Sequence, residues 1–464
     1  MKIRFHGAVR TVTGSLHIVE TAQGEIVLLD CGMFQGRRQE ARERNERFPV
    51  EPKRVKAVVL SHAHIDHIGN LPSWVARGLR CPVYATHATA DLCGIMLRDS
   101  AKIQEFDAKH VNKNRRPHER TVQPLYTAEH AEATLKLLRA KPYHDWFEVL
   151  PGLRARYQDA GHILGSAGIT LEERHNGSVK RLGFTGDVGR DQRVILRDPE
   201  PLEAGADVLL SESTYGDREH PPQADLHEQL AQVLERTIKR RGRVIIPAFA
   251  LGRTQSLLYA MYKLQQAGRL PKVPVYVDSP LACLATGIVE RHPECYDGEA
   301  KEILRDEGTL FAVQGYACLT DVADSKALNE SRDPCVIVSA SGMCEAGRIL
   351  HHLLHNIEDE KNTILIVGFQ AEHTLGRKLV EQWATVRIFG RRIERRAEVV
   401  TLNGFSAHAG RSELAAYLEK ARPAGPLFLV HGDEKQGLAF EDFLERERGF
   451  PDVRLPHEGD EWKV

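Results

Sequence analysis

The stretch Ser61-His62-Ala63-His64-Ile65-Asp66-His67 packs four metal-ligand side chains into six residues. It constrains the fold more than any other part of the chain. The apolar run Val55 to Leu60, broken only by Lys56, precedes it and reads as a buried strand. The amphipathic run Ile68 to Arg77 follows and reads as a helix. In an extended segment alternate side chains share a face, which would point His62, His64 and Asp66 the same way. His67 falls where the chain turns into the helix. Imidazole and carboxylate together suit zinc. A strand, a dense ligand motif and then a helix is the context a metal-dependent hydrolase needs.

A chain of 464 residues implies two or three domains, and 42% apolar residues supply their cores. With 27% charged residues the composition is that of a soluble protein. A formal net charge of -1 supplies no global field toward nucleic acid or membrane, so affinity for a polyanion must come from a local patch or from bound metal. The eight cysteines are scattered without a CxxC pair, so neither a disulfide framework nor a cysteine zinc knuckle is expected. No signal-peptide pattern and no membrane-length apolar run is evident. The expectation is a cytoplasmic protein.

Carboxylates and histidines recur at predicted strand ends along the chain. Asp30-Cys31-Gly32 ends the strand Glu25 to Asp30, a place where an acid is often simple turn chemistry. The basic loop Asn112-Lys-Asn-Arg-Arg-Pro-His118 is open to two readings, a phosphate contact or a solvated loop. Asp159-Ala-Gly-His162 precedes a β run, and Thr185-Gly-Asp187-Val-Gly189 follows another. Glycines on both sides of Asp187 permit a close backbone approach. Glu212-Ser-Thr-Tyr-Gly216 closes a further apolar strand.

From there to about residue 397 strands alternate with helices, which implies a parallel sheet covered on both faces. Ligands of such sheets sit at the carboxyl ends of the strands, where Phe249, Arg253, Ser341 and Gly342 fall. His351 and His352, on a helix without acidic partners in sequence, read as surface or interface residues. Beyond about residue 398 strands again end in histidines. Phe405-Ser-Ala-His408 and Leu429-Val-His431-Gly432 place two more of them after strands.

Taken together these residues resemble the metallo-β-lactamase superfamily, and within it the β-CASP nucleases. The resemblance runs through essentially the whole chain. Asp30 matches the first superfamily motif, His62-x-His64-x-Asp66-His67 the second, His162 the third and Asp187 the fourth. Glu212, His408 and His431 match the three motifs specific to the β-CASP branch, and Ser341-Gly342-Met343 is similar to its Ser-Gly-Met loop. DNA-directed members commonly carry Val at the last motif, so His431 resembles the RNA-directed ones.

The resemblance implies an α/β fold: a metallo-β-lactamase αβ/βα sandwich with an inserted parallel-sheet β-CASP domain. The sandwich takes residues 1–216 and 398–464, the insert takes 217–397, and the active site is expected at the cleft between them. It also implies two zinc ions. His62, His64 and His162 would hold one, Asp66, His67 and His431 the other, and Asp187 would bridge both. Asp66, Glu212 and His408 are then the catalytic side chains, with His408 the general acid and Glu212 setting its tautomer and raising its pKa. Asp30 would orient a ligand histidine. Arg253, Ser341 and Gly342 would contact phosphate, with turn formation or surface charge as the alternative for each.

The implied activity is zinc-dependent hydrolysis of phosphodiester bonds in single-stranded RNA by a two-metal hydroxide mechanism. It would be endonucleolytic, with 5′-3′ exonuclease action as a further mode. Two divalent cations against two carboxylates and a hydroxide leave a site of about +1, suited to a phosphodiester. The rival readings are a DNA nuclease, a small-molecule metallo-hydrolase on the same fold, and an RNA-binding scaffold. Single-stranded RNA is the expected partner, no membrane is, and a homodimer is the assembly considered.

Overall fold

A computed structural model describes residues 1–113, 121–220 and 224–464. The basic loop therefore lies outside the described residues from position 114 onward. The chain divides into two compact units. The first comprises Met1–Arg193, Arg197–Glu219 and His408–Val464; the second comprises Val194–Leu196 and His220–Ala407.

Among the described residues, the first unit contains eleven strands up to Glu219. They are β1 (Lys2–Gly7), β2 (Leu16–Glu20), β3 (Ile26–Leu29), β4 (Val55–Val59), β5 (Val83–Thr86), β6 (Leu138–Lys141), β7 (Phe147–Leu150), β8 (Leu153–Asp159), β9 (Ala167–His175), β10 (Ser178–Phe184) and β11 (Val208–Glu212). In the second unit come β12 (Val244–Pro247), β13 (Val275–Val277), β14 (Tyr316–Cys318), β15 (Val336–Ser339), β16 (Thr363–Ile366), β17 (Thr385–Ile388), β18 (Arg391–Glu394) and β19 (Glu398–Thr401). The chain then returns to the first unit with β20 (Leu427–Val430), β21 (Val453–Arg454) and β22 (Glu461–Lys463).

Two seven-stranded sheets build the first unit. Their orders are β22-β1-β2-β3-β4-β5-β6 and β21-β20-β11-β10-β9-β8-β7. Alternation along the strands decides which side chains meet. Ile3, Phe5, Val27, Leu29, Ala57 and Val59 of one sheet share a buried cluster with Tyr157, Ile169, Leu171, Phe184, Leu210 and Phe428 of the other. Leu209, Leu427 and Leu429 point the opposite way, into a cluster with Leu414, Leu418, Phe440 and Leu444 from the helices Arg411–Ala421 and Glu434–Arg448. Strands covered on both faces must be apolar on both, hence the unbroken runs Val208-Leu-Leu and Leu427-Phe-Leu-Val.

The second unit carries a six-stranded sheet of order β14-β13-β15-β12-β16-β19 in which every pairing is parallel. The strand-helix alternation has this consequence, since parallel neighbours need a crossover of a dozen or more residues. Strand β19 pairs with β16 here, whereas the boundary expected from sequence assigns residue 398 onward to the other domain.

Two expectations about single residues fail in this unit. His352 is fully buried, with Nε2 2.6 Å from an Asp278 carboxylate oxygen and Nδ1 2.8 Å from the Asn329 side-chain oxygen. Its acidic partner lies 74 residues away in sequence and is brought in by the sheet. Cys283 and Cys318 form a disulfide with Cα atoms 5.9 Å apart. Val277 and Cys318 are register partners in β13 and β14, and the helix Pro280–Val289 starts just beyond β13. Topology rather than a local motif sets that pairing. Among the described residues no helix is long and apolar enough to cross a membrane.

Phe428 sits at the centre of the sandwich, 4% exposed and 4.7 Å from the Phe5 ring. Phe428→Ala is expected to cost about 3–5 kcal/mol in the unfolding transition of the first unit. Val179→Ala, at a 47% exposed position, should stay within about 0.5 kcal/mol. Urea titration followed by circular dichroism measures both.

Candidate metal centre

Strand ends position nearly every side chain of the centre. Asp30 directly follows β3, Glu212 ends β11 and His431 directly follows β20, while Asp187 lies three residues beyond β10. Strands β3 and β4 run parallel, as do β10, β11 and β20, so their carboxyl ends gather on one edge of the sandwich. His162 comes from the turn between the antiparallel strands β8 and β9. His408 is tied in by an isolated bridge to Gly189, with the Ala409 N–H donating to the Val188 carbonyl at 2.8 Å.

The opening motif departs from the extended geometry expected of it. Strand β4 stops at Val59, and Ile65–Ile68 already form a helical turn with His64 at its N-cap. His62 and His64 thus sit in the loop while Asp66 and His67 sit on the turn, so the four ligands divide two and two. One potential donor atom from each of His62, His64, His162 and Asp187 lies within 4.8 Å of the others. The same holds for Asp66, His67 and His431, and for Asp187, Glu212 and His408.

Asp187 stands at the centre of the arrangement. Its Oδ2 is 3.4 Å from His62 Nε2 and 3.5 Å from His162 Nε2. Its Oδ1 is 3.4 Å from His67 Nε2 and 3.3 Å from His431 Nδ1. Each oxygen of one carboxylate therefore faces a different pair of imidazoles. Two glycines permit this approach. Gly186 has φ +56, and a Cβ on it would lie 2.7 Å from the Ser61 Cβ; a Cβ on Gly189 would lie 2.1 Å from the Gly161 carbonyl oxygen.

The donor set fits a divalent cation. His62 Nε2 lies 3.1 Å from His64 Nδ1, and His67 Nε2 lies 3.2 Å from His431 Nε2. Imidazole nitrogens this close have lone pairs converging on shared points, which a cation satisfies better than a proton does. Burial holds His62 and His162 well below the ordinary histidine pKa and lowers His64 to about 4, so these rings are neutral and able to ligate. Burial opposes ionisation of Asp187, but His431, His67 and His62 outweigh it and hold the carboxyl well below its usual range. Burial also opposes charge on His67, yet Asp187 and Asp30 outweigh it and raise that ring. A cation at His67 Nε2 would displace the extra proton.

Asp30 orients this part of the site. It is fully buried and lies 2.7 Å from His67 Nδ1; it also accepts from the Ser61 N–H at 2.7 Å, the Ser61 hydroxyl at 2.9 Å and the Ser15 hydroxyl at 3.1 Å. Fixing the proton on Nδ1 leaves Nε2 for the cluster. Glu212, also fully buried, accepts from the Val188 N–H at 2.5 Å and lies 3.0 Å from His408 Nδ1. The His408 side chain is 20% exposed. Burial disfavours its charge, but Glu212 outweighs this, with help from Asp187 and Asp66, and raises the ring to about 9.

Three supporting contacts were not anticipated from sequence. The Thr214 hydroxyl lies 3.1 Å from His431 Nδ1. Ser166 Oγ accepts from the His162 N–H at 3.0 Å. Ser15, in the loop just before β2, holds Asp30. Thr214 lies inside Glu212-Ser-Thr and Ser166 four residues past His162, so motif proximity was a usable signal for both. Nothing local marks Ser15.

Arg253, Ser341 and Gly342 belong to the second unit. Arg253 opens the helix Arg253–Gln266 beyond the carboxyl end of β12, and Ser341 and Gly342 follow β15. Ser341 Oγ accepts from the Glu345 N–H at 3.2 Å, which caps the loop, and the Gly342 carbonyl accepts from Gln370 Nε2 at 2.9 Å.

Known proteins share these features. Residues 11–95 match the Metallo-beta-lactamase superfamily, residues 254–379 the Beta-Casp domain, and residues 392–456 the Zn-dependent metallo-hydrolase RNA specificity domain. The chain is 38% identical over 444 residues to a Thermus thermophilus protein named Ribonuclease TTHA0252, covering 96% of each. It is 32% identical to an RNase J-like protein of Methanocaldococcus jannaschii, covering 94% of each. A third relative, the transcription termination factor FttA of the same organism, is 30% identical over 96% of this chain and 69% of its own length. The full-length similarity, with both domain types in one chain, makes this protein a member of the β-CASP family of the metallo-β-lactamase superfamily.

Proposed function

We propose that this chain is a zinc-dependent ribonuclease that hydrolyses phosphodiester bonds of single-stranded RNA. The observation that carries the reading is Asp187, whose two oxygens face separate histidine pairs beside the His408–Glu212 pair. The RNA specificity description over residues 392–456 and the relative named a ribonuclease support RNA as the substrate.

His62, His64 and His162 would hold one zinc, Asp66, His67 and His431 the second, with Asp187 shared. Zinc there supplies Lewis-acid chemistry, activating water near neutral pH and neutralising charge on the phosphate. The chain itself supplies the leaving-group proton. Glu212 keeps the His408 Nδ1 proton in place and stabilises the imidazolium, so Nε2 is the nitrogen that donates. Asp30 fixes the tautomer of His67 and with it the direction of that ligand.

Metal-loaded protein should cleave end-labelled single-stranded RNA, and a chelator should abolish cleavage. Binding of RNA without cleavage would refute the enzymatic reading. Elemental analysis should find two zincs per chain in the wild type and fewer in Asp187→Ala, since one carboxylate serves both positions. Undiminished zinc in that variant contradicts sharing.

His408→Ala should keep its zinc and its circular dichroism spectrum while losing about 10²–10⁴-fold in kcat. Loss of both metals would instead make His408 a ligand. The pH profile tests Glu212. A general acid must be protonated, so the rate falls as pH rises through the pKa of His408. Glu212 raises that pKa. Glu212→Gln removes the charge that favours imidazolium and should move the alkaline limb of kcat down by about 1 pH unit or more.

A further inference from the structure

The hairpin β17–β18 carries a charge pattern that the isolated protein does not neutralise. Residues 377–396 hold seven basic side chains and two acidic ones, in a chain of net charge -1. Several of the basic groups are committed internally. Arg377 pairs with Glu381 at 2.7 Å and Arg396 with Glu394 at 2.8 Å. Arg395 donates to the Trp383, Gln382 and Ala397 carbonyls. Arg387, Arg391 and Arg392 are exposed, and among the described residues no carboxylate pairs with them.

The register sharpens the point. Arg387 and Arg392 are direct cross-strand partners, flanked by the pair Val386 and Ile393 that faces the interior. Like charges directly opposite one another destabilise a hairpin. At the turn, Phe389 adopts φ 49 and Gly390 φ 76. Positive φ is unfavourable for an aromatic residue, yet it holds the Phe389 ring outward, 53% exposed, against His351 at 4.7 Å between centroids. A row of unneutralised guanidinium groups beside an exposed ring is complementary to a phosphodiester backbone with unstacked bases.

The Arg396 and Ala397 N–H groups both donate to the Ile357 carbonyl, and β19 begins at Glu398 opposite Thr363, the first residue of β16. This places the base of the hairpin by the amino ends of the parallel sheet, while its tip, with Phe389 against His351, reaches back to the first turn of the helix Ile349–Asn356 that follows the Ser341 loop.

We infer that Arg387, Arg391 and Arg392 form an accessory binding surface for the phosphodiester backbone of single-stranded RNA. The inference rests on the ribonuclease reading above. It accounts for how a chain with no global positive field retains a long polyanion.

The test compares the metal-loaded wild type with R387Q/R391Q/R392Q on a labelled oligouridylate of about 40 nucleotides. Each phosphate contact to a single strand contributes about 0.7 to the salt slope, so three contribute about 2. Over a threefold rise in salt, from about 50 to about 150 mM, KM of the wild type for this RNA should therefore climb about tenfold more than that of the variant. The variant should show a KM for this RNA raised about tenfold at low salt, with kcat and the circular dichroism spectrum unchanged. The charge-preserving R387K/R391K/R392K should retain most of the wild-type KM.

Equal KM and equal salt dependence for variant and wild type overturn the surface. A fall in kcat or an altered circular dichroism spectrum also overturns it, because the hairpin would then be acting through the fold. If the wild type does not cleave the RNA, the ribonuclease reading fails by itself. Fluorescence anisotropy with the same RNA then decides the hairpin separately, with the same loss of affinity expected and its absence overturning the proposal.

Discussion

A carboxylate that is 2% exposed and ionised must have its charge matched where it stands. Asp187 meets that requirement with imidazoles on both of its oxygens, and much of the first unit is arranged to bring them there. The strands that supply Asp30, Glu212 and His431 end on the same edge as β10, which leads to Asp187. Packing between the two sheets, centred on Phe5, Phe184 and Phe428, fixes how far apart those ends are. Burial supplies the low dielectric that keeps most of the imidazoles neutral, and the paired carboxylates supply the negative charge a cation needs.

The histidines of the site are separated by their partners rather than by residue type. His62, His64 and His162 are pushed toward the neutral form by burial, as ligation requires. His408 is equally a histidine in a crowded site, but the buried Glu212 carboxylate keeps a proton on it. One set can accept a cation and the other can give up a proton, because one set faces a shared Asp187 and the other a dedicated Glu212. A two-metal hydrolase that also protonates its leaving group needs both kinds.

The second unit follows different physics. Its sheet is parallel, its connections are helical, and its buried polar centre is the Asp278–His352 contact, tied to Ser325 at 2.5 Å and Arg348 at 2.6 Å. These groups satisfy one another. Among the described residues the unit exposes chemistry at the loops after β12 and β15 and at the arginine hairpin β17–β18. The first lies at the carboxyl ends of parallel strands, where such sheets bind ligands. The second is marked by its charge and by the exposed Phe389 ring.

That the side chains of the metal centre gather was legible in the sequence because strand ends leave local marks and the motifs resemble a known family. An apolar run followed by His, Asp or Glu with glycine marks Asp187, Glu212 and His431 as candidates, and the resemblance supplied their roles. The parallel second sheet was legible for a similar reason, since helix and strand periodicities alternate within short windows. What tertiary structure decided is everything that depends on two distant segments meeting. It showed that Asp66 sits on a helical turn and so faces His431 rather than His62. It paired Cys283 with Cys318, gave His352 an acidic partner, put β19 in the second sheet and brought Ser15 to Asp30. Sequence spacing records what neighbours along the chain prefer. Register and crossover, set by packing of whole faces, determine which of the others meet.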